Sequence, residues 1–598
     1  MSLLLALLLT GVAPAGLKGV VNADKAKKLP AAARTALVND GFTVVEGRER
    51  DFFSVYDQNA YEKVPSFIST DVVLHVFHVR FDEEVASLER KVAQPALTAF
   101  AAKQLARALT AWPATGTPSP ALRALTQYHA IALLLLDPGA KLDPRLTGVN
   151  EDVEKLVAAR GRGTVSACPA ALELSLFSPR GHYERSTLEG YFRAVTFYSQ
   201  CGFALTGDGV ARALDVARLV DADSGKSLAQ VRSLQDFVSG PADDVGLDAL
   251  APHLASLPAW PAPLPPAALE AVRAKLTKGP TVPTLDGAGP TFRLLGGSLT
   301  PDTALLGKTA GTPERPLPSV LDVLSALGSP EAKRLLAPSP ALLQLLEQPL
   351  PAGGGLAARW LEVLRVLLTK PAAQPAFAAT DAWARRTVVA AAGSYAELRH
   401  DTLLYVKQPM VMAEGGDARE LPASKVGGYV EPRPEVYRAL LELTSELAKR
   451  GGDSAALEEF LRFLVEVSEL ELSNKPFPKP MDERLRTVGG ELEHLSRLHG
   501  DDSPPQALVA DVFTAVLPDG STRVLHLAVG DVDELWVVAP RAGQLVLMRG
   551  GAFSFYEFAE GQRLSDGQWN VRLFEGPPQR PVWARPVEVK SKAGVAPK

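Results

Sequence analysis

The sequence predicts a mainly α-helical protein with a small antiparallel β unit at its C-terminal end, α+β overall. Three observations carry this. Apolar residues recur at helical spacing from residue 66 to about 135 and again in later stretches, as in ALTAFAAKQLARALTAW and EVYRALLELTSELAKR. After Gly500 the pattern turns to β-branched and aromatic runs separated by Asp-Gly or Gly turns, as in ALVADVFTAVLPDGSTRVLHLAVG. The 598 residues, 46% hydrophobic and 22% charged, are those of a globular chain with more than one core.

Leu3 to Leu9 form a short apolar run, and Ala13-Pro14-Ala15 has the small-residue pattern of a signal-peptidase site. We therefore expect residues 1–15 to be a signal peptide and the protein to be exported, periplasmic or secreted. The run is too short to span a bilayer, so no transmembrane segment is expected. Residues 16–65 read as an N-terminal extended segment and 66–500 as a helical domain with an Ala/Pro-rich variable region at about 204–390. Its helices, similar in length, suggest antiparallel pairs or an α/α toroid. Residues 505–580 read as the β domain and 581–598 as a tail. Ser186 and Glu189 form a capping box that predicts a helix start at Thr187. The only cysteines, Cys168 and Cys201, are either buried thiols or a disulfide worth about 3–4 kcal/mol. A net charge of -5 offers no basic field for nucleic acid.

The functional clue is the stretch STDVVLHVFHVRFDEE. At about 100° per residue, Asp71, His75, His78 and Asp82 fall within roughly a 60° arc of an otherwise apolar helix. A helix that is apolar on most sides is buried, and buried charge needs a partner. SYAELRHDTLLYVKQ supplies one, because Glu397, His400 and Asp401 share a face and Glu-x-x-His presents two metal ligands inward. Asp71, His75, His78, Glu397, His400 and Asp401 are the candidate acid–base residues, with Glu431 of GGYVEP as a further acid. His75, His78, Glu397 and His400 are the candidate ligands of a divalent metal. Structural hydrogen-bond networks use the same residue types, so each stripe alone also reads as structure.

Arg180, His182, Tyr183 and Arg185 in PRGHYERS precede a predicted helix start, where two Arg and backbone N–H groups could clamp an anion. With Tyr429 they form the candidate substrate-binding set. No G-x-S-x-G, P-loop, H-E-x-x-H or Rossmann fingerprint is present.

FISTDVVLHVFHVRFDEE, SPRGHYERSTLEGYFRAVTFY, SYAELRHDTLLYVKQ, GGYVEP, FRLLGGSLTPD and ALVADVFT together resemble the bacterial and archaeal family called domain of unknown function 3160. The resemblance runs from about residue 45 to 580 and implies an exported, mainly helical protein; it supplies no established activity or catalytic residues. Phe513 stands where a His is expected in relatives, which removes any ligand role there.

Three functions follow as expectations. The first is an enzyme acting on an extracellular acidic polysaccharide by His/Tyr/Arg or paired-carboxylate chemistry. The second is a metal-dependent hydrolase using the helix stripes. The third is a non-catalytic envelope scaffold that binds a glycan or another envelope component. Neither the substrate nor the oligomeric state is legible in the sequence.

Overall fold

The computed structural model describes residues 17–276, 289–310, 315–407, 427–497, 507–516 and 522–586. The expected signal peptide lies outside the described residues. The fold is mainly α with small antiparallel sheets, as the periodicities predicted. Among the described residues no helix is long and apolar enough to cross a membrane.

The helices that bear on the site are α1 (Thr70–Leu88), α2 (Gln94–Thr110), α3 (Glu189–Gln200), α4 (Gly355–Leu368), α5 (Asp381–Asp401) and α6 (Asp566–Glu575). Ser69 starts α1 by accepting from the Val72 N–H, and Thr380 starts α5 by accepting from the Trp383 N–H at 3.1 Å. Helix α1 is buried nearly all round, as its sequence required. Trp360 of α4 wedges against it, its ring 4.8 Å from Phe77 and 5.3 Å from Phe81. The indole N–H then donates to Ser394 of α5, so one side chain fixes α1 and α5 side by side.

Between α1 and α2 the chain makes a π-helical turn, Glu89–Ala93. An extra residue in a helical turn re-aims the side chains at its edge and often marks a functional position. Helix α3 begins at Glu189 rather than at Thr187. The Ser186 hydroxyl accepts from the Leu188 N–H, and Glu189 Oε1 accepts from the Arg185 N–H. The two cap residues were recognised, but a bend at Arg185, with φ of 52°, moves the first helical turn on.

Two three-stranded antiparallel sheets close the fold. With β1 (Phe42–Glu49), β2 (Val509–Val516), β3 (Thr522–Val529), β4 (Val532–Arg541), β5 (Gln544–Ala552) and β6 (Phe555–Glu560), their orders are β1–β4–β5 and β6–β3–β2. Strand β1 comes from the segment read in sequence as extended and pairs with β4, Phe42 opposite Val537. The β unit is thus stitched from both ends of the chain. A short parallel pair, Phe67 beside Tyr429 and Ile68 beside Val430, brings Glu431 to the start of α1. Cys168 and Cys201 are joined in a disulfide with Cα atoms 5.3 Å apart.

Candidate functional site

Helices α1 and α5 pack with their polar stripes facing. The His75 Nδ1–H donates to Glu397 Oε1 at 2.7 Å, and the His78 Nδ1–H donates to Asp401 Oδ2 at 2.8 Å. A carboxylate only accepts, so these contacts place the proton on Nδ1. Asp401 Oδ1 lies 3.0 Å from His400 Nδ1, and His400 Nε2 lies 2.9 Å from Asp566 Oδ2 at the start of α6. Asp566 is itself fixed, since its other oxygen accepts from the Val509 N–H of β2 at 2.9 Å. This carboxylate therefore ties β2 to His400.

The loop PRGHYERS lies against the same array. Gly181, with φ of 56°, sits so close that a Cβ there would come 3.2 Å from His400 Cε1. That approach and that backbone both call for glycine. Its neighbour His182 spans two carboxylates, Asp82 Oδ1 at 2.6 Å and Glu89 Oε2 at 2.9 Å. Glu89 Oε1 in turn accepts from Tyr183 at 2.7 Å and from Tyr405, whose hydroxyl meets Tyr191 at 3.0 Å. A continuous line of imidazoles and carboxylates thus runs along α1 into the π turn.

The electrostatics follow from the pairing. Burial alone would lower His78, but Asp401 and Glu397 overcome it and raise the imidazole to about 9. Burial is likewise overcome at His182, where Asp82 and Glu89 lift it to about 10. His400 is raised well above its ordinary value because Asp566 and Asp401 outweigh its desolvation. Asp82 moves the other way: burial would raise it, but His182 pulls it down to about 2. Without a metal, Asp82 is ionised and these three imidazoles carry charge at neutral pH.

Two groups have ligand spacing. His75, His78 and Glu397 each offer an atom within 4.8 Å of the others, and so do Asp82, His400 and Asp401. All six residues are buried. Among the described residues Glu397 Oε2 is buried with no hydrogen-bond partner, an expensive arrangement for a carboxylate.

The remaining candidates are placed elsewhere. Asp71 and Glu431 do not join the imidazoles. Arg386 bonds both, reaching the two Glu431 oxygens at 3.0 and 2.9 Å, while Glu431 also accepts from the Thr70 N–H at 2.8 Å. Both carboxylates pair with the Arg386 guanidinium, an arrangement that suits a structural role. Arg180 is buried and donates to Asp511 at 2.7 Å, whereas Arg185 is exposed. Tyr429 stacks on Phe67 in the core at 6.0 Å instead of facing a cleft. Phe513 is opposite Leu525, just beyond a bulge that follows Asp511.

Sequence reading missed Glu89, Asp566, Arg386, Asp511 and Tyr405. Glu89 had a signal, because it follows Asp82 by seven residues and so continues the same stripe. Asp566 had none, since an Asp after Ser at a helix start reads as an ordinary terminal acid.

Fold and site together define a mainly helical protein with a buried imidazole–carboxylate array at a helix–helix interface. The chain belongs to the family described as Protein of unknown function (DUF3160), which it matches over residues 30–584. No curated protein and no solved structure matches the chain.

Proposed function

We propose that the protein is a divalent-metal enzyme of the hydrolase class, with the metal held by His75, His78 and Glu397. One observation carries the reading: three ligand atoms within 4.8 Å of one another, on two helices, include a buried carboxylate whose Oε2 has no partner among the described residues. Two imidazoles and a carboxylate suit first-row divalent ions, and a cation would compensate that oxygen. Such an ion would polarise a carbonyl or phosphoryl oxygen or activate water. The chain's own contribution is orientation. Asp401 fixes the ring of His78, and the Phe52 ring, 5.1 Å away, packs on His75.

Of the residues expected to hold an acidic glycan, Arg180 pairs with Asp511 and Tyr429 packs in the core, so metal chemistry is the better supported reading. The Cys168–Cys201 disulfide supports placing the protein in an oxidising compartment, in keeping with export. A structural role has one observation in its favour, the burial of every residue in the two groups.

Elemental analysis of the full chain, purified without chelator and reconstituted with zinc, manganese or iron, tests the reading. About one equivalent or more is expected, with loss in His75→Ala and Glu397→Gln that stay folded by circular dichroism. Less than about a tenth of an equivalent in the wild type overturns it. Metal without hydrolysis across ester and phosphoester panels would leave a metal-stabilised scaffold.

A further inference from the structure

The following rests on the metal reading above and extends it to a second ion. We propose that the buried array holds two first-row divalent cations, with Asp401 coupling their sites. The second site is Asp82, His400 and Asp401, whose ligand atoms also lie within 4.8 Å of one another and which shares no residue with the first.

Asp401 is the link. Its Oδ1 is 3.0 Å from His400 Nδ1, within the second group, and its Oδ2 fixes the Nδ1–H of His78, a ligand of the first. The His78 and His400 rings are 6.0 Å apart and the His75 and His78 rings 5.5 Å apart, so the two groups adjoin along α1.

Each ligand of the second group has outer support. His400 Nε2 meets Asp566, the carboxylate–histidine arrangement that orients metal-bound imidazoles. Asp82 accepts from His182, which is held in turn by Glu89. These supports come from the loop PRGHYERS, the π turn and α6.

The two groups together offer three carboxylates and three imidazoles, a donor set that suits two first-row divalent ions.

The test uses the full chain stripped with chelator and titrated with Mn(II) alone, read by calorimetry and by electron paramagnetic resonance. About two ions per chain are expected, with an exchange-coupled signal at saturation, as for closely spaced metal pairs. Asp82→Asn combined with His400→Gln should bind one ion and give an isolated-ion spectrum. Asp566→Asn should weaken the second ion about 10–100-fold and spare the first. Should the variants fail to fold, the wild-type titration still decides. One ion with an isolated spectrum overturns the pair and leaves the metal reading standing, whereas no binding overturns both.

Discussion

The interface of α1 and α5 solves the same problem differently at its two ends. At one end Arg386 pairs with both Asp71 and Glu431, and the Phe553 N–H donates to Asp71 at 3.0 Å. At the other, among the described residues, Glu397, Asp401 and Asp82 pair with imidazoles. An arginine keeps its charge at any physiological pH, so the first end is locked. An imidazole can give up its proton and take a cation, so the second end can change state. Buried carboxylates alone therefore do not mark a functional site; the kind of base that faces them does.

The largest expected effect comes from breaking the locked end. Arg386→Met leaves Asp71 and Glu431 buried without their cation and should cost about 3–5 kcal/mol in denaturant unfolding. Metal bound per folded chain should be unchanged, and its loss would mean that the ends are not independent.

Metal supplies the next effect, at the other end. A cation present at about a hundredfold over its Kd should stabilise the wild type by about 2.7 kcal/mol. His75→Ala should abolish that gain while Arg386→Met keeps it, as read from paired thermal melts with and without metal.

The junction sharpens the contrast. Phe553 bonds Asp71 through its backbone, and its ring lies 6.5 Å from His75. Gly393 makes room for that ring, since a Cβ there would come 2.5 Å from Phe553 Cγ. Gly393→Ala should cost about 1–3 kcal/mol by overpacking. It should also lower metal affinity, because the displaced ring abuts a ligand; an unchanged titration would count against that coupling.

The gentlest change is with pH, at most about 1.4 kcal/mol per unit for each imidazole. His78 and His182 are raised to about 9 and about 10, above the unfolded value of about 6.5. Their contribution is therefore complete below about 6.5 and lost as pH rises through 9 and 10. Chelated protein should lose stability between pH 7 and 10, and His78→Gln should flatten the slope.

Much of this was legible before folding. The stripe of Asp71, His75, His78 and Asp82 could be read because a buried helix has a fixed period, and Glu397, His400 and Asp401 because Glu-x-x-His shares a face. The base that faces each acid is not legible in local spacing. Asp71 and Glu431 look like candidate acids until Arg386, far along the chain from both, is seen between them. Arg180 looked like an anion clamp because the strand bearing Asp511 could not be foreseen beside it.

Local periodicity and turn chemistry, which depend only on near neighbours, determined from sequence the helical body, the C-terminal strands and the line of imidazoles on α1. Only tertiary structure decided that β1 joins the distant β4, that Asp566 closes on His400, and that one end of the interface carries a guanidinium. Those outcomes depend on which residues meet across hundreds of positions, and no local spacing encodes such a meeting.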